Sequence, residues 1–259
     1  MDIQKLVQDT FHKHRKSVVL IVIRSAAGEA LGHGTGFVIG KKGISCLVMT
    51  CCHVANNRDL PHGHILKFRL AGDPKEHRVT NMHDDEGVDL AIIQVYDVVE
   101  EVVPLQFRDV SDIAPETVVI KIGYINFPVS DFFNLDPSVT RGTVTTPLQQ
   151  SGRRGREDVV YASSSKQGTS GSPLLVGDGV IGVHYANFQS PSDIMVARLS
   201  LTVNCWLKKW LRKSPHQTAT TNELIEQMLR LTKWTMYEAA TRWSLIGAPH
   251  APHLVPMLW

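Results

Sequence analysis

Gly168-Thr169-Ser170-Gly171-Ser172-Pro173 sets a serine between glycines. An acyl-transfer nucleophile needs a tight turn that lifts its oxygen clear of its own backbone. The same turn must aim N–H groups at the oxygen that becomes negative. Glycine on both sides permits that geometry, and the expected oxyanion donors are the N–H groups of Gly168 and Ser170. Taken alone, such a string more often marks an ordinary turn. A serine hydroxyl also needs a base. His53 ends the apolar run Cys46-Leu47-Val48-Met49-Thr50-Cys51-Cys52. Asp89 sits inside Val88-Asp89-Leu90-Ala91-Ile92-Ile93, where a carboxylate is unfavourable to bury unless something binds it. A histidine N–H is its natural partner and fixes the imidazole tautomer. Two other chemistries are weaker. Cys51 and Cys52 beside His53 lack a glycine turn of the oxyanion type, and His62-Gly63-His64 lacks a third ligand nearby. No metal and no cofactor is expected.

The elements that must position these residues are mostly strands. Short apolar runs bounded by Gly, Asp, Asn and Pro recur at 18–23, 36–39, 46–49, 65–70, 90–95, 102–107, 118–122, 142–145, 159–162, 173–176, 180–183 and 194–199. This pattern predicts an all-β sandwich or barrel. Helical patterns of about 10–15 residues, which a parallel α/β sheet needs between its strands, are not found. Ile3, Leu6, Val7 and Phe11 predict an amphipathic helix at the start. Residues 108–116 read as a linker between two β halves, and 147–157 as a long mobile loop carrying the basic run Arg153-Arg154-Gly155-Arg156. Leu201, Cys205, Trp206, Leu207, Trp210 and Leu211 predict a closing helix. Thr220-Thr221-Asn222-Glu223 has the capping-box pattern, opening a helix over 221–243. Its broad apolar face has two uses, packing on the body or meeting another chain or a second copy. The expected division is 1–16 helix, 17–110 first β half, 117–200 second, 201–214 closing helix, 220–244 C-terminal helix, and 245–259 a disordered tail.

Composition bounds the partners. The chain has 259 residues, 43% apolar and 20% charged, with a formal net charge of +2. That suffices for a sizeable core and demands neither nucleic acid nor an anionic membrane. The longest early apolar run, Val18–Ile23, is too short for a signal peptide, and no stretch reaches the roughly 20 apolar residues of a membrane span. A precursor already stripped of its leader would look the same. Cys46, Cys51, Cys52 and Cys205 form no disulfide ladder and no CxxC pair. One bridge stays open, but free buried thiols fit better, which points to a reducing, intracellular and first of all cytoplasmic setting.

Four segments carry a family resemblance: Gly34-Thr35-Gly36-Phe37-Val38-Ile39, Met49-Thr50-Cys51-Cys52-His53-Val54, Asp89-Leu90-Ala91 and Gly168–Pro173. Together they resemble the trypsin/chymotrypsin-like serine peptidases. The nearest look is that of the Deg/HtrA branch and the glutamyl endopeptidases. Ser138–Val144 is similar to the Deg/HtrA strand near the start of the second barrel. The resemblance covers roughly residues 17–212. It implies two six-stranded β-barrels with the site between them, an endopeptidase acting on proteins or peptides, Ser170 as nucleophile, His53 as general base and acid, and Asp89 as orienter. Ser172 stands where many relatives have glycine, and Val54 where a disulfide-forming cysteine is common. No PDZ-like segment and no obvious activation peptide is seen. By the same resemblance, Asp178–Tyr185 lines the primary specificity pocket. His184, with Ser165 as a hydroxyl partner, implies a preference for Glu or Gln on the acyl side of the cut. The opposing reading of the whole chain is a silent protease fold kept as an interaction or chaperone module.

Overall fold

The computed structural model describes residues 2–56, 63–110, 113–125, 136–150, 156–164, 167–187, 193–214 and 216–231, with backbone alone for 147–150. Twelve strands close into two antiparallel barrels. The first is built of β1 (Val18–Arg24), β2 (Ala30–Lys42), β3 (Ser45–Thr50), β4 (Ile65–Leu70), β5 (His77–Asp85) and β6 (Leu90–Val95), in the order β1-β2-β3-β6-β5-β4. The second holds β7 (Val118–Gly123), β8 (Ser138–Gln150), β9 (Glu157–Ser163), β10 (Pro173–Val176), β11 (Gly179–Asn187) and β12 (Ile194–Leu199), in the order β10-β11-β12-β9-β8-β7.

β1 reads Val-Val-Leu-Ile-Val-Ile and is buried on both faces. Its inner face fills the barrel and its outer face is covered, so it needs no polar alternation. One core spans the first barrel, the helices and the second-barrel residues Ile120, Ile122, Leu175, Val180 and Val183. A smaller core, with Val119, Tyr161, Leu174 and Met195, fills the second barrel.

The strand expected at 102–107 is instead an irregular connection, joined to the second barrel by a bridge between Phe107 and Val180 and to β2 by the Leu105 N–H, which donates to the Val38 carbonyl at 2.8 Å. Its apolar side chains Val102, Leu105 and Phe107 are buried by packing without a ladder. The true strand in its place is β5, whose polar sequence hides it; its pairing with β4 and β6 shows it. β8 runs on to Gln150 and β9 begins at Glu157, so the expected loop over 147–157 shrinks. Residues 151–155, and most of the basic run with them, lie outside the described residues.

α1 (Ile3–His14) is capped by the Asp2 carboxylate and packs Leu6, Val7 and Phe11 on the core. A one-turn helix α2 (Cys52–Ala55) follows β3, and α3 (Ser200–Trp210) closes the second barrel. α4 (Thr221–Arg230) opens with the expected capping box. It packs Leu224, Ile225 and Met228 on the body. Leu231 after it is extended and 52% exposed, and residues 232–243 of the expected helix lie outside the described residues. The expected tail lies outside the described residues. The four cysteines are free. Among the described residues no helix is long and apolar enough to cross a membrane.

Candidate active site

β3 ends at Thr50, and Cys51 leads into the single turn of α2. Cys52, Val54 and Ala55 face inward while the His53 side chain stands 48% exposed. The turn between β5 and β6 brings Asp89 beside it. Asp89 adopts φ 54°, a left-handed conformation that Asp tolerates better than most residues. Its carboxylate accepts from the His53 backbone N–H at 3.0 Å and lies 2.8 Å from Nδ1. This pairing puts the proton on Nδ1 and leaves Nε2 as an acceptor. From the second barrel, Arg198 Nε donates to the Val88 carbonyl at 2.6 Å, fixing the residue before Asp89.

The Ser170 turn is held from both barrels. Gly168 and Gly171 have φ of +91° and +87°. A side chain on Gly171 would overlap the Thr35 carbonyl and the Thr50 hydroxyl. Thr35 donates its N–H to the Ser170 carbonyl at 2.9 Å and its hydroxyl to the Gly168 carbonyl at 2.8 Å. The Gly171 N–H goes to the His184 carbonyl, whereas the N–H groups of Gly168 and Ser170 have no acceptor among the described residues. Ser172 is fully buried, and its hydroxyl faces Gly123, where a Cβ would collide with it. The absent side chain at 123 makes room for serine where relatives have glycine. Ser170 is half-buried, and no hydrogen bond joins its Oγ to His53. Catalytic contacts of this kind are often long in a free enzyme.

Both thiols beside His53 are occupied. Cys51 is buried and donates to the His184 carbonyl at 3.3 Å. Burial, then the nearby Asp89, pushes its thiol far up. Cys52 donates to Asp84 at 3.3 Å, and burial raises it as well. A thiolate nucleophile is therefore disfavoured here.

His184 lies on β11 and is 2% exposed. Its Nδ1 meets the Tyr161 hydroxyl at 3.0 Å. Burial holds its pKa well below the usual value, and Lys121 and His53 lower it further. It is a neutral imidazole near enough to His53 to feel its charge. Ser165 and His62 lie outside the described residues. Two groups bring metal-type ligand atoms within 4.8 Å of one another: Cys51, His53 and Asp89, and Asp73, His77 and Glu100. The first is the His–Asp pair with a protonated thiol beside it. Thr35, Cys51, Tyr161, Lys121 and Arg198 were not singled out from sequence as working residues. Lys121 and Arg198 left a local signal, each a lone cation within an apolar run, 118–122 and 194–199.

The model of the trypsin-like peptidase domain matches residues 34–183, more than half of the chain. No curated protein matches it in sequence. Among solved structures, the active form of the Rv3671c protease from M. tuberculosis superposes with a TM-score of 0.62 at 20% identity, covering 85% of this chain and 92% of that one. A serine-to-alanine mutant of the same protein, in an inactive form, gives 0.61 at 23% identity, with coverages of 83% and 97%. These likenesses concern the fold. The family match, which runs from the strand that stitches the Ser170 turn to the strand beneath it, shows the lineage: the chain belongs to the trypsin-like peptidase domain family, within the trypsin/chymotrypsin-like serine peptidases.

Proposed function

We propose that the chain is a serine endopeptidase that cuts peptide bonds through Ser170, His53 and Asp89. The observation that carries this reading is the His53–Asp89 pair, which leaves Nε2 as the free base across from the Ser170 turn. His53 Nε2 takes the hydroxyl proton as Ser170 Oγ bonds to the carbonyl carbon. The N–H groups of Gly168 and Ser170 receive the oxyanion. Collapse breaks the C–N bond, and His53 returns the proton to the leaving amine. Water then hydrolyses the acyl-enzyme by the same route. His184, neutral and held by Tyr161, suits a Glu or Gln side chain on the acyl side. Four free cysteines favour a reducing, intracellular setting.

A fluorophosphonate probe should label the wild-type protein and not Ser170→Ala. The absence of a Ser170–His53 hydrogen bond favours the opposing reading, a silent interaction module. Equal lack of labelling in both proteins, under all buffer conditions, would establish that reading instead. Cleavage of a peptide library reads the pocket: preference for Ala, Val or Arg on the acyl side removes the Glu/Gln assignment.

A further inference from the structure

Two large cations are buried in the second barrel, and they are treated differently. Arg198, 2% exposed, makes a bidentate pair with Asp158 at 2.6 and 2.7 Å. It also donates to the Val88 carbonyl and lies 4.0 Å over the Tyr185 ring. Lys121 is 1% exposed and its ammonium reaches only the Ser164 carbonyl, at 3.5 Å. No carboxylate lies within ion-pair distance of it among the described residues.

β7 alternates, so Lys121 shares the inner face with Val119, while Ile120 and Ile122 face the first barrel. It pairs directly with Leu174, which is also interior. Leu174 in turn pairs with Gly182, two residues before His184. The His184 backbone bonds the nucleophile turn at Gly171 and Ser172. The ammonium therefore lies within the barrel end that carries the specificity pocket, close enough to act on the His184 imidazole. A buried ammonium without an anion is costly. Burial lowers its pKa to about 8, which still leaves it largely charged near neutrality. His184 is neutral, so the positive charge of this region comes from Lys121.

We infer that Lys121 is the buried counter-charge of the specificity pocket and selects a carboxylate over a carboxamide, making Glu the acyl-side residue. The inference rests on the pocket assignment proposed above. Paired peptides that differ only in Glu or Gln before the scissile bond test it through the ratio of their kcat/KM values. This ratio does not depend on the fraction of protein that is folded. A charge-assisted contact is about twice as strong as a neutral one, so wild type should favour Glu by about tenfold or more. Lys121→Met, close in length, should bring the ratio to within about threefold of unity. Should that variant fail to fold, Lys121→Ile gives the same readout with a side chain natural to a barrel interior. Equal cleavage of Glu and Gln by wild type overturns the role of Lys121 while leaving the pocket assignment standing. So does a ratio unmoved by losing the ammonium. A wild-type preference for neither residue overturns both.

Discussion

In the first barrel the candidate site residues stand on the rim. The His53 and Asp89 side chains are 48% and 21% exposed, above an interior of aliphatic side chains with Phe37 and Phe68. In the second barrel Lys121, Tyr161, His184 and Arg198 are buried within the wall and interior. The rim groups come from an α2 turn and a β5–β6 turn, where a polar side chain costs little desolvation. The inner groups must satisfy one another, as Arg198 and Asp158 do, or await a ligand. On the reading proposed above, proton transfer would belong to rim groups of the first barrel, and discrimination to buried polar groups of the second.

The largest break in this contrast should come from the rim. Asp89→Asn keeps a residue tolerant of the left-handed turn but favours the wrong tautomer. It should lower kcat by about 10⁴-fold with the thermal unfolding midpoint nearly unchanged. A variant that loses both together would show that the rim also bears the fold. Next comes the inner pair. Arg198→Met leaves Asp158 buried and unpaired, and urea unfolding should report a loss of about 3–5 kcal/mol. Adding Asp158→Leu should recover most of it. A third, smaller effect sharpens the contrast on the outside of the first barrel. His83 stacks against Trp206 at 5.3 Å and Trp210 at 4.8 Å, with Asp84, Asp85 and Lys209 acting on its charge. Burial lowers its pKa from 6.5 to about 4. The unfolded chain therefore takes up the proton first as pH falls. His83 contributes stability above pH 6.5 that is lost between there and about pH 4. Melting curves over this range should be flatter for His83→Phe than for wild type.

The candidate site residues His53, Asp89 and Ser170 stood out in the sequence because each signal is local: a run that ends, a carboxylate among aliphatics, a serine between glycines. An all-β body in two halves followed from run lengths and breaks, and its closure into two six-stranded barrels from the family resemblance. β5 was not legible, because a strand with one polar face lacks an apolar run. The 102–107 segment was over-read, because burial without a ladder leaves the same apolar trace as a strand. The bonds of Thr35 and Cys51 were not legible because their partners, Gly168 and His184, are each 133 residues away. The Arg198–Asp158 pair likewise exists only once the second barrel is closed.

α4 reaches back across the whole chain. Asn222 bonds both the N–H and the carbonyl of Phe107 at 2.8 Å, and the Asp109 carboxylate receives the Thr221 N–H at 3.0 Å. Leu229 covers Gly40 on β2. The ribosome delivers the first barrel long before these residues. During synthesis the nascent barrel has a bare flank and an untied connection, and the second barrel emerges before either is secured. The contacts that latch the half made first thus come from α4, which is synthesised only after the second barrel.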